Sequence, residues 1–202
     1  DWADAHSITF PTTMFRFGIT QFAELRLEYD GALTETTSKH FEYEVAPLII
    51  GTKIRVFDGS DTYKWIPQVA LMANLAIPST KELAETMHVA PSIYALFNND
   101  VTDWFSIGYN VGAEWDGYSA IPATFLAVCL GFNITDNLGA FVESYNYITK
   151  YGMHNTHGEA NIDFGFNWMV HPKVQLDVYA GFNCQDPTTY SMAGFGVAWR
   201  IN

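Results

Sequence analysis

The sequence contains few basic residues, few cysteines and no long apolar segment. Ten Lys and Arg residues stand against 22 Asp and Glu residues, which gives a formal net charge of −12. This balance argues against nucleic acid as a partner, because phosphate binding requires clustered Lys and Arg. The two cysteines, Cys129 and Cys184, are too few for a disulfide framework, and their positions predict free thiols.

The missing long apolar segment excludes a membrane-spanning helix. The most apolar stretch, residues 122–132, is interrupted by Thr124 and Gly131. It is also shorter than the roughly 20 residues that such a helix requires. Aromatic residues make up 16% of the chain, and 15 Gly accompany only 8 Pro, a composition that instead predicts many β-strands.

Alternation of apolar and polar residues is the main pattern. In residues 23–30, Leu25, Leu27 and Tyr29 alternate with four charged residues, which predicts a strand with one apolar and one charged face. The same pattern, in places weaker, predicts eleven strands at 13–19, 23–30, 50–56, 68–77, 88–97, 105–115, 123–134, 138–148, 161–168, 174–181 and 190–201.

The connections between these strands alternate between two kinds. Mostly tight turns are predicted at 20–22, 58–64, 98–103, 135–137 and 171–173, and longer polar loops at 34–44, 78–87, 116–120, 149–157 and 184–189. Short turns at one rim and longer loops at the other are typical of a transmembrane antiparallel β-barrel whose tight end is periplasmic. The sequence therefore predicts a single all-β domain over residues 1–202.

A soluble barrel or sandwich would show the same alternation, so the composition of the two faces has to distinguish a membrane protein from a soluble one. The predicted apolar faces carry no charged residue, and lipid strongly penalises charge there. The predicted polar faces hold glycines and neutral amides with few lysines, whereas a solvated surface is usually rich in Lys and Glu. The membrane interpretation requires Leu25, Ile54, Val111 and Phe164 to be exposed.

The number of strands gives a further expectation. Eleven strands that end at the tight-turn rim would place the start of the first strand at the outer rim. Because single-chain bacterial barrels have an even number of strands, a twelfth strand is predicted to precede Asp1. Residues 1–12 are then the remnant of an external loop.

Short motifs occur in a characteristic order along nearly the whole chain. They are FRFGIT at 15–20, ELRL at 24–27, IGTK at 50–53, LAIP at 75–78, GFNITD at 131–136, FVE at 141–143, QLD at 175–177 and GFGVAWR at 194–200. Together they resemble the outer-membrane family of the MetA pathway of phenol degradation. The resemblance implies a channel in the outer membrane of a Gram-negative bacterium for small apolar or aromatic compounds, without defined catalytic residues.

Charged residues of both signs fall on the predicted polar faces of neighbouring strands. The candidates for lining the lumen are Arg16, Glu24, Arg26, Glu28, Lys53, Arg55, Glu114, Glu143, Asp163, Asp177 and Arg200. One hypothesis is a network of salt bridges that fills and stiffens a narrow barrel, since buried charges are usually paired. The other is a polar constriction that gates a solute.

Residues that could carry catalysis or bind a metal do not form a convincing set. His88 and Ser92 are predicted to share a strand face, but four residues along an extended strand separate them too far for direct contact. His154, His157 and Glu159 lack a helix and a fourth ligand. The sequence therefore predicts no catalytic residue, no metal and no cofactor.

Three functional classes remain, and the first is favoured. It is a small transport barrel in contact with outer-membrane lipid and lipopolysaccharide. The second is a non-conducting accessory subunit, plugged by its own side chains and docked to other outer-membrane proteins. The third, a lipid-modifying enzyme, would require a Ser and a His to converge near the outer rim.

Overall fold

Antiparallel strands form almost all the regular structure in the computed structural model, which describes residues 7–35, 40–60, 62–151, 155–185 and 191–201. The strands are β1 (Ser7–Gly18), β2 (Ala23–Glu35), β3 (Phe41–Val45), β4 (Leu48–Phe57), β5 (Gln68–Ile77), β6 (Ala90–Asp100), β7 (Phe105–Glu114), β8 (Ala123–Asn133), β9 (Leu138–Lys150), β10 (Thr156–His171), β11 (Val174–Asn183) and β12 (Ser191–Trp199). One short helix, α1 (Lys81–Thr86), lies between β5 and β6. Within these described ranges, no helix has the length and apolar character needed to cross a membrane.

The strands belong to one sheet and follow one another in chain order. Hydrogen-bonded neighbours run β1-β2-β4-β5-β6-β7-β8-β9-β10-β11-β12, and the short β3 pairs with β2 outside this path. The path therefore contains the eleven strands that the sequence predicts, and it confirms the all-β antiparallel fold. Closure of the sheet into a barrel, and a further strand before Asp1, stay predictions.

Contacts within the chain group the residues into two units. The first comprises Asp1–Arg55, Leu71–Ile93 and Glu114–Pro122, and the second comprises Val56–Ala70, Tyr94–Ala113 and Ala123–Asn202.

Cross-strand pairs explain why the alternating segments form strands. In the first unit, Phe15 and Phe17 of β1 lie opposite Leu27 and Leu25 of β2. In the second unit, Phe164 of β10 lies opposite Val142 of β9 and Ala180 of β11. Aromatic and aliphatic side chains therefore meet on one face of each pair, and such pairs stabilise a sheet.

Several boundaries differ from the predicted ones. β1 begins at Ser7, so part of the segment 1–12 predicted as a loop remnant is a strand, and residues 1–6 lie outside the described part. β3 overlaps the C-terminal part of the predicted loop 34–44 and extends to Val45, and its Tyr43 pairs with Leu33 of β2. At the predicted loop 149–157, Thr149 pairs with His157, so that β9 continues to Lys150 and β10 begins at Thr156. β-branched residues such as Thr149 favour this extension.

The apolar face of the sheet is not covered by a core. Leu25, Ile54, Val111 and Phe164 have 40%, 45%, 43% and 45% of their surface exposed, as the membrane interpretation requires. Only Met87, Ala90 and Ala127 are buried hydrophobic residues in the part of the chain that the structure describes. The accessible surface is 14177 Å², compared with roughly 9,500 Å² for a soluble monomer of this mass.

Glycines make room for large side chains on the polar face of the second unit. A Cβ atom at Gly165 would lie 2.7 Å from Cε1 of Phe141, and one at Gly194 would lie 2.6 Å from the Tyr179 ring. Both distances are shorter than a normal carbon contact. The large side chains therefore lie flat across the glycine on the neighbouring strand.

We expect Gly165→Ala to lower the free energy of unfolding by about 1–3 kcal/mol, because the added methyl group would lie 2.5 Å from the Val178 carbonyl oxygen and would overpack the contact with Phe141. Gly158→Ala in the same strand is the matched control. A Cβ atom there meets only the Tyr147 carbonyl oxygen at 3.9 Å, so the change should stay within about 0.5 kcal/mol. Chemical denaturation measures both, and equal effects would contradict the packing described.

Candidate functional site

Five charged side chains cluster on the polar face of β1, β2 and β4 in the first unit. This mixed-charge cluster consists of Arg16, Glu24, Arg26, Glu28 and Lys53. The register places Arg16 opposite Arg26 and Glu24 opposite Lys53. Nη2 of Arg16 donates a hydrogen bond to Oε2 of Glu24 at 2.8 Å. An anion therefore lies among three cations, as the ion-pair hypothesis expects for this part of the polar face.

Arg26 has an unusual set of partners within the mixed-charge cluster. Its Nε lies 3.7 Å from Oε1 of Glu24, and its Nη2 lies 4.0 Å from Oε1 of Glu28. Nη1 instead donates to the sulfur of Met72 at 2.7 Å, and Nη2 donates to the sulfur of Met14 at 3.0 Å. Sequence reasoning did not identify these contacts. The available signal was that Met14 lies two residues before Arg16 and therefore on the same face of β1 as this charged residue.

Acidic residues lie together on the polar face of the second unit. The register aligns Cys129 of β8, Glu143 of β9 and Asp163 of β10 in one row. All three are half-buried, and neither carboxylate forms a salt bridge with a cation in the residues described. Among the described residues, Glu143 and Asp163 therefore form a pair of like charges and no cross-strand ion pair. Both cysteines are free thiols, as predicted.

The remaining charged candidates occupy separate positions. Arg55 lies 5.4 Å from the centre of the Phe22 ring, and its Nη2 donates to the Gln21 carbonyl oxygen. Asp177 accepts a 2.7 Å hydrogen bond from Gln175. The half-buried Glu114 ends β7, and the exposed Arg200 follows β12. Of the predicted residues, five thus lie in the mixed-charge cluster of the first unit, and Glu143 and Asp163 lie in the acidic row of the second unit.

Four aromatic rings form a further cluster in the second unit. The ring of Phe125 lies 5.7 Å from that of Tyr94 and 5.3 Å from that of Tyr147, which in turn lies 6.3 Å from that of Tyr145. Tyr145 and Tyr147 share a face with Glu143, because all three alternate along β9. Sequence reasoning missed this cluster, since it depends on which strands are neighbours.

The residues considered for enzyme chemistry occupy different surroundings from those predicted. β6 begins at Ala90, so His88 precedes the strand, and the predicted shared strand face with Ser92 is wrong. The hydroxyl of Ser92 accepts a hydrogen bond from Asn74 at 3.2 Å. His157 lies 3.4 Å from Glu159, whereas His154 lies outside the described residues. The described ranges contain no group of three or more His, Cys, Asp or Glu that could hold a metal ion.

The fold and these sites define an all-β protein with one exposed apolar face and one polar face that carries charged and aromatic clusters. A family model described as "Putative MetA-pathway of phenol degradation" matches residues 2–201, and the chain belongs to this family. The resemblance inferred from the motifs is thereby confirmed, and the description associates the family with phenol degradation. No curated protein matches the chain.

We expect Glu143→Gln to raise the free energy of unfolding by about 0.2–1 kcal/mol at neutral pH. The substitution removes a like charge directly opposite Asp163. Asp177→Asn is the control, because Asp177 accepts a hydrogen bond from Gln175 and lies opposite Asn167 and a glycine. It should lower the stability by about 0.5–1.5 kcal/mol. Denaturation curves of the two variants at the same pH measure both effects. Destabilisation by Glu143→Gln would argue that the Glu143 carboxylate has a favourable partner.

Proposed function

We propose that this chain forms a transmembrane β-barrel channel in the outer membrane of a Gram-negative bacterium and admits small apolar or aromatic solutes. In this proposal it is not an enzyme, and its surroundings are outer-membrane lipid and lipopolysaccharide. The observation that carries the proposal is the uncharged, exposed apolar face, represented by Leu25, Ile54, Val111 and Phe164. Only helices and closed barrels satisfy their backbone hydrogen bonds inside a bilayer, so the proposal includes closure of the sheet.

The energetics of the apolar face support a lipid environment. Contiguous apolar patches larger than a few hundred Å² are rare on soluble monomers and mark surfaces that meet a membrane or another protein. Here the apolar positions recur along every long strand, from Phe15 in β1 to Phe195 in β12. Hydrocarbon removes the cost of leaving these side chains in water, at about 25 cal/mol for each Å².

The polar face supports passage of a solute. The charged residues on this face, among them Arg16, Glu24 and Glu143, would provide polar contacts along a passage. The cluster of Tyr94, Phe125, Tyr145 and Tyr147 offers ring faces and edges. Aromatic solutes would stack on such rings in offset or edge-to-face geometry. These features fit the family's association with phenol degradation.

A non-conducting accessory barrel is the second candidate, and one observation favours it. The Arg16–Glu24 ion pair and the side chains that lie across Gly165 and Gly194 are the arrangement expected of an interior filled by its own residues. In that case the partners would be other outer-membrane proteins, and the apolar face would serve partly as their docking surface.

The lipid-facing orientation is tested with two neighbouring positions in β7. We expect Val111→Lys to lower the fraction of protein that inserts into lipid vesicles, because a Lys on the lipid face costs about 2–4 kcal/mol near the bilayer centre. Asn110→Lys places the same charge on the polar face and should insert like the unmodified protein. Density flotation measures insertion. Equal insertion of the two variants, or a protein that stays dissolved without detergent, would refute the orientation.

Conduction is tested by current recording in planar bilayers and by swelling of vesicles in phenol. We expect discrete currents and phenol-dependent swelling. Glu143→Gln should shift the reversal potential in a salt gradient towards weaker cation preference, because it removes one of two neighbouring negative charges. Asp58→Asn, in the loop after β4, should leave this potential unchanged. A folded, inserted protein without currents or swelling would favour the accessory barrel.

A further inference from the structure

The guanidinium group of Arg26 is mostly buried and directed at weak acceptors. Its side chain is 17% exposed, and both terminal nitrogens donate to thioether sulfurs, those of Met14 and Met72. Thioether sulfur is a weak hydrogen-bond acceptor. The carboxylates of Glu24 and Glu28 lie 3.7 and 4.0 Å away, beyond hydrogen-bond distance, and Nε has no hydrogen-bond partner among the described residues. A stronger acceptor at either sulfur would therefore be bound more tightly.

Oxidation of the two methionines would create such an acceptor in place. A lone pair of the thioether sulfur attacks one oxygen of hydrogen peroxide, the sulfur–oxygen bond forms and the oxygen–oxygen bond breaks. The second oxygen leaves as hydroxide and becomes water when it takes up the proton of the oxygen now bound to sulfur. The sulfur thereby loses two electrons, and the peroxide gains them. The product, methionine sulfoxide, is polar and is reduced back by dedicated reductases. Its oxygen would accept a charge-assisted hydrogen bond from Arg26.

The positions of the methionines allow the reaction in the folded protein. Met14 is 46% exposed, and Met72 is half-buried on the same polar face. Met87, by contrast, is only 6% exposed and has no contact of this kind among the described residues. Oxidation usually destabilises a protein because it places a polar sulfoxide among apolar side chains. Here the sulfoxide oxygen would lie beside a cation that lacks a good acceptor.

We propose that Met14 and Met72 form a methionine-oxidation site for peroxides, and that Arg26 binds the oxygen of the resulting sulfoxides. The site is independent of solute passage. It is defined by the hydrogen bonds from Arg26 to the two sulfurs and by access of peroxide from water to the polar face.

The test treats the folded full chain, in the detergent that keeps it folded, with excess hydrogen peroxide. Mass spectrometry of peptides then follows the gain of one oxygen atom at each methionine. We expect Met14 and Met72 to be oxidised while Met87 remains unmodified. The apparent melting temperature of the oxidised protein should rise by about 2–4 °C, the shift expected for one strengthened interaction in a chain of this length. Treatment with methionine sulfoxide reductase should restore the original value.

Two variants separate this site from oxidation elsewhere. Met14→Leu combined with Met72→Leu keeps the remaining methionines and should show no rise after peroxide. Arg26→Gln removes the guanidinium charge and with it the charge-assisted hydrogen bond, so both methionines should still oxidise without a rise in melting temperature. Should Arg26→Gln fail to fold, the double leucine variant decides alone. Two results would overturn the proposal. One is resistance of Met14 and Met72 to peroxide. The other is a peroxide-induced fall in the melting temperature of the unmodified chain that equals the fall seen in Arg26→Gln.

Discussion

The apolar side chains of this sheet have no protein core in which to pack, and the rest of the structure depends on that condition. In a soluble β-protein the same alternating strands would bury their apolar faces against a second layer. Here Leu25, Val111 and Phe164 remain exposed at mid-strand, and only three hydrophobic residues are buried in the described part of the chain. The environment of the protein, rather than its interior, must therefore provide the apolar contacts that stabilise the strands.

This condition also shapes the polar face. Charged groups are excluded from the apolar positions, so they accumulate on the other side of each strand. The carboxylates on this side have two kinds of neighbours. In the first unit, Glu24 lies among the cations Arg16, Arg26 and Lys53. In the second unit, Glu143 and Asp163 lie opposite each other. The first arrangement links neighbouring strands through an ion pair, and the second leaves a local negative potential on the polar face. Structural and functional roles can therefore coexist in one sheet.

Sequence patterns were sufficient to locate the strands of the main path, because period-two alternation is a local property. They located every strand of the main path and assigned Leu25, Ile54, Val111 and Phe164 to the exposed face. They missed β3, although Phe41 and Tyr43 alternate with Glu42 and Glu44, because the segment was taken as a polar loop. Its stability comes from pairing with the end of β2, which local propensity does not reveal.

The sites were less predictable because they depend on register. The alternation of β9 places Glu143 on the polar face, but only the alignment of β9 with β10 puts Asp163 opposite it. A shift of one residue would have moved each side chain to the other face, and the sequence alone does not specify the alignment. The same holds for Met72, which approaches Arg26 from β5, a strand 46 residues further along the chain.

In the proposed outer-membrane barrel, the length of β10 has a consequence for the outer surface. Its 16 residues would extend about 37 Å along the membrane normal at a 45° tilt, whereas the apolar band of an outer-membrane barrel is about 25 Å tall. In the proposed barrel, the paired ends of β9 and β10 would therefore project past the lipid as a hydrogen-bonded ridge. Such a ridge would offer a binding protein a preorganised surface, and it would be a suitable place to display a grafted peptide.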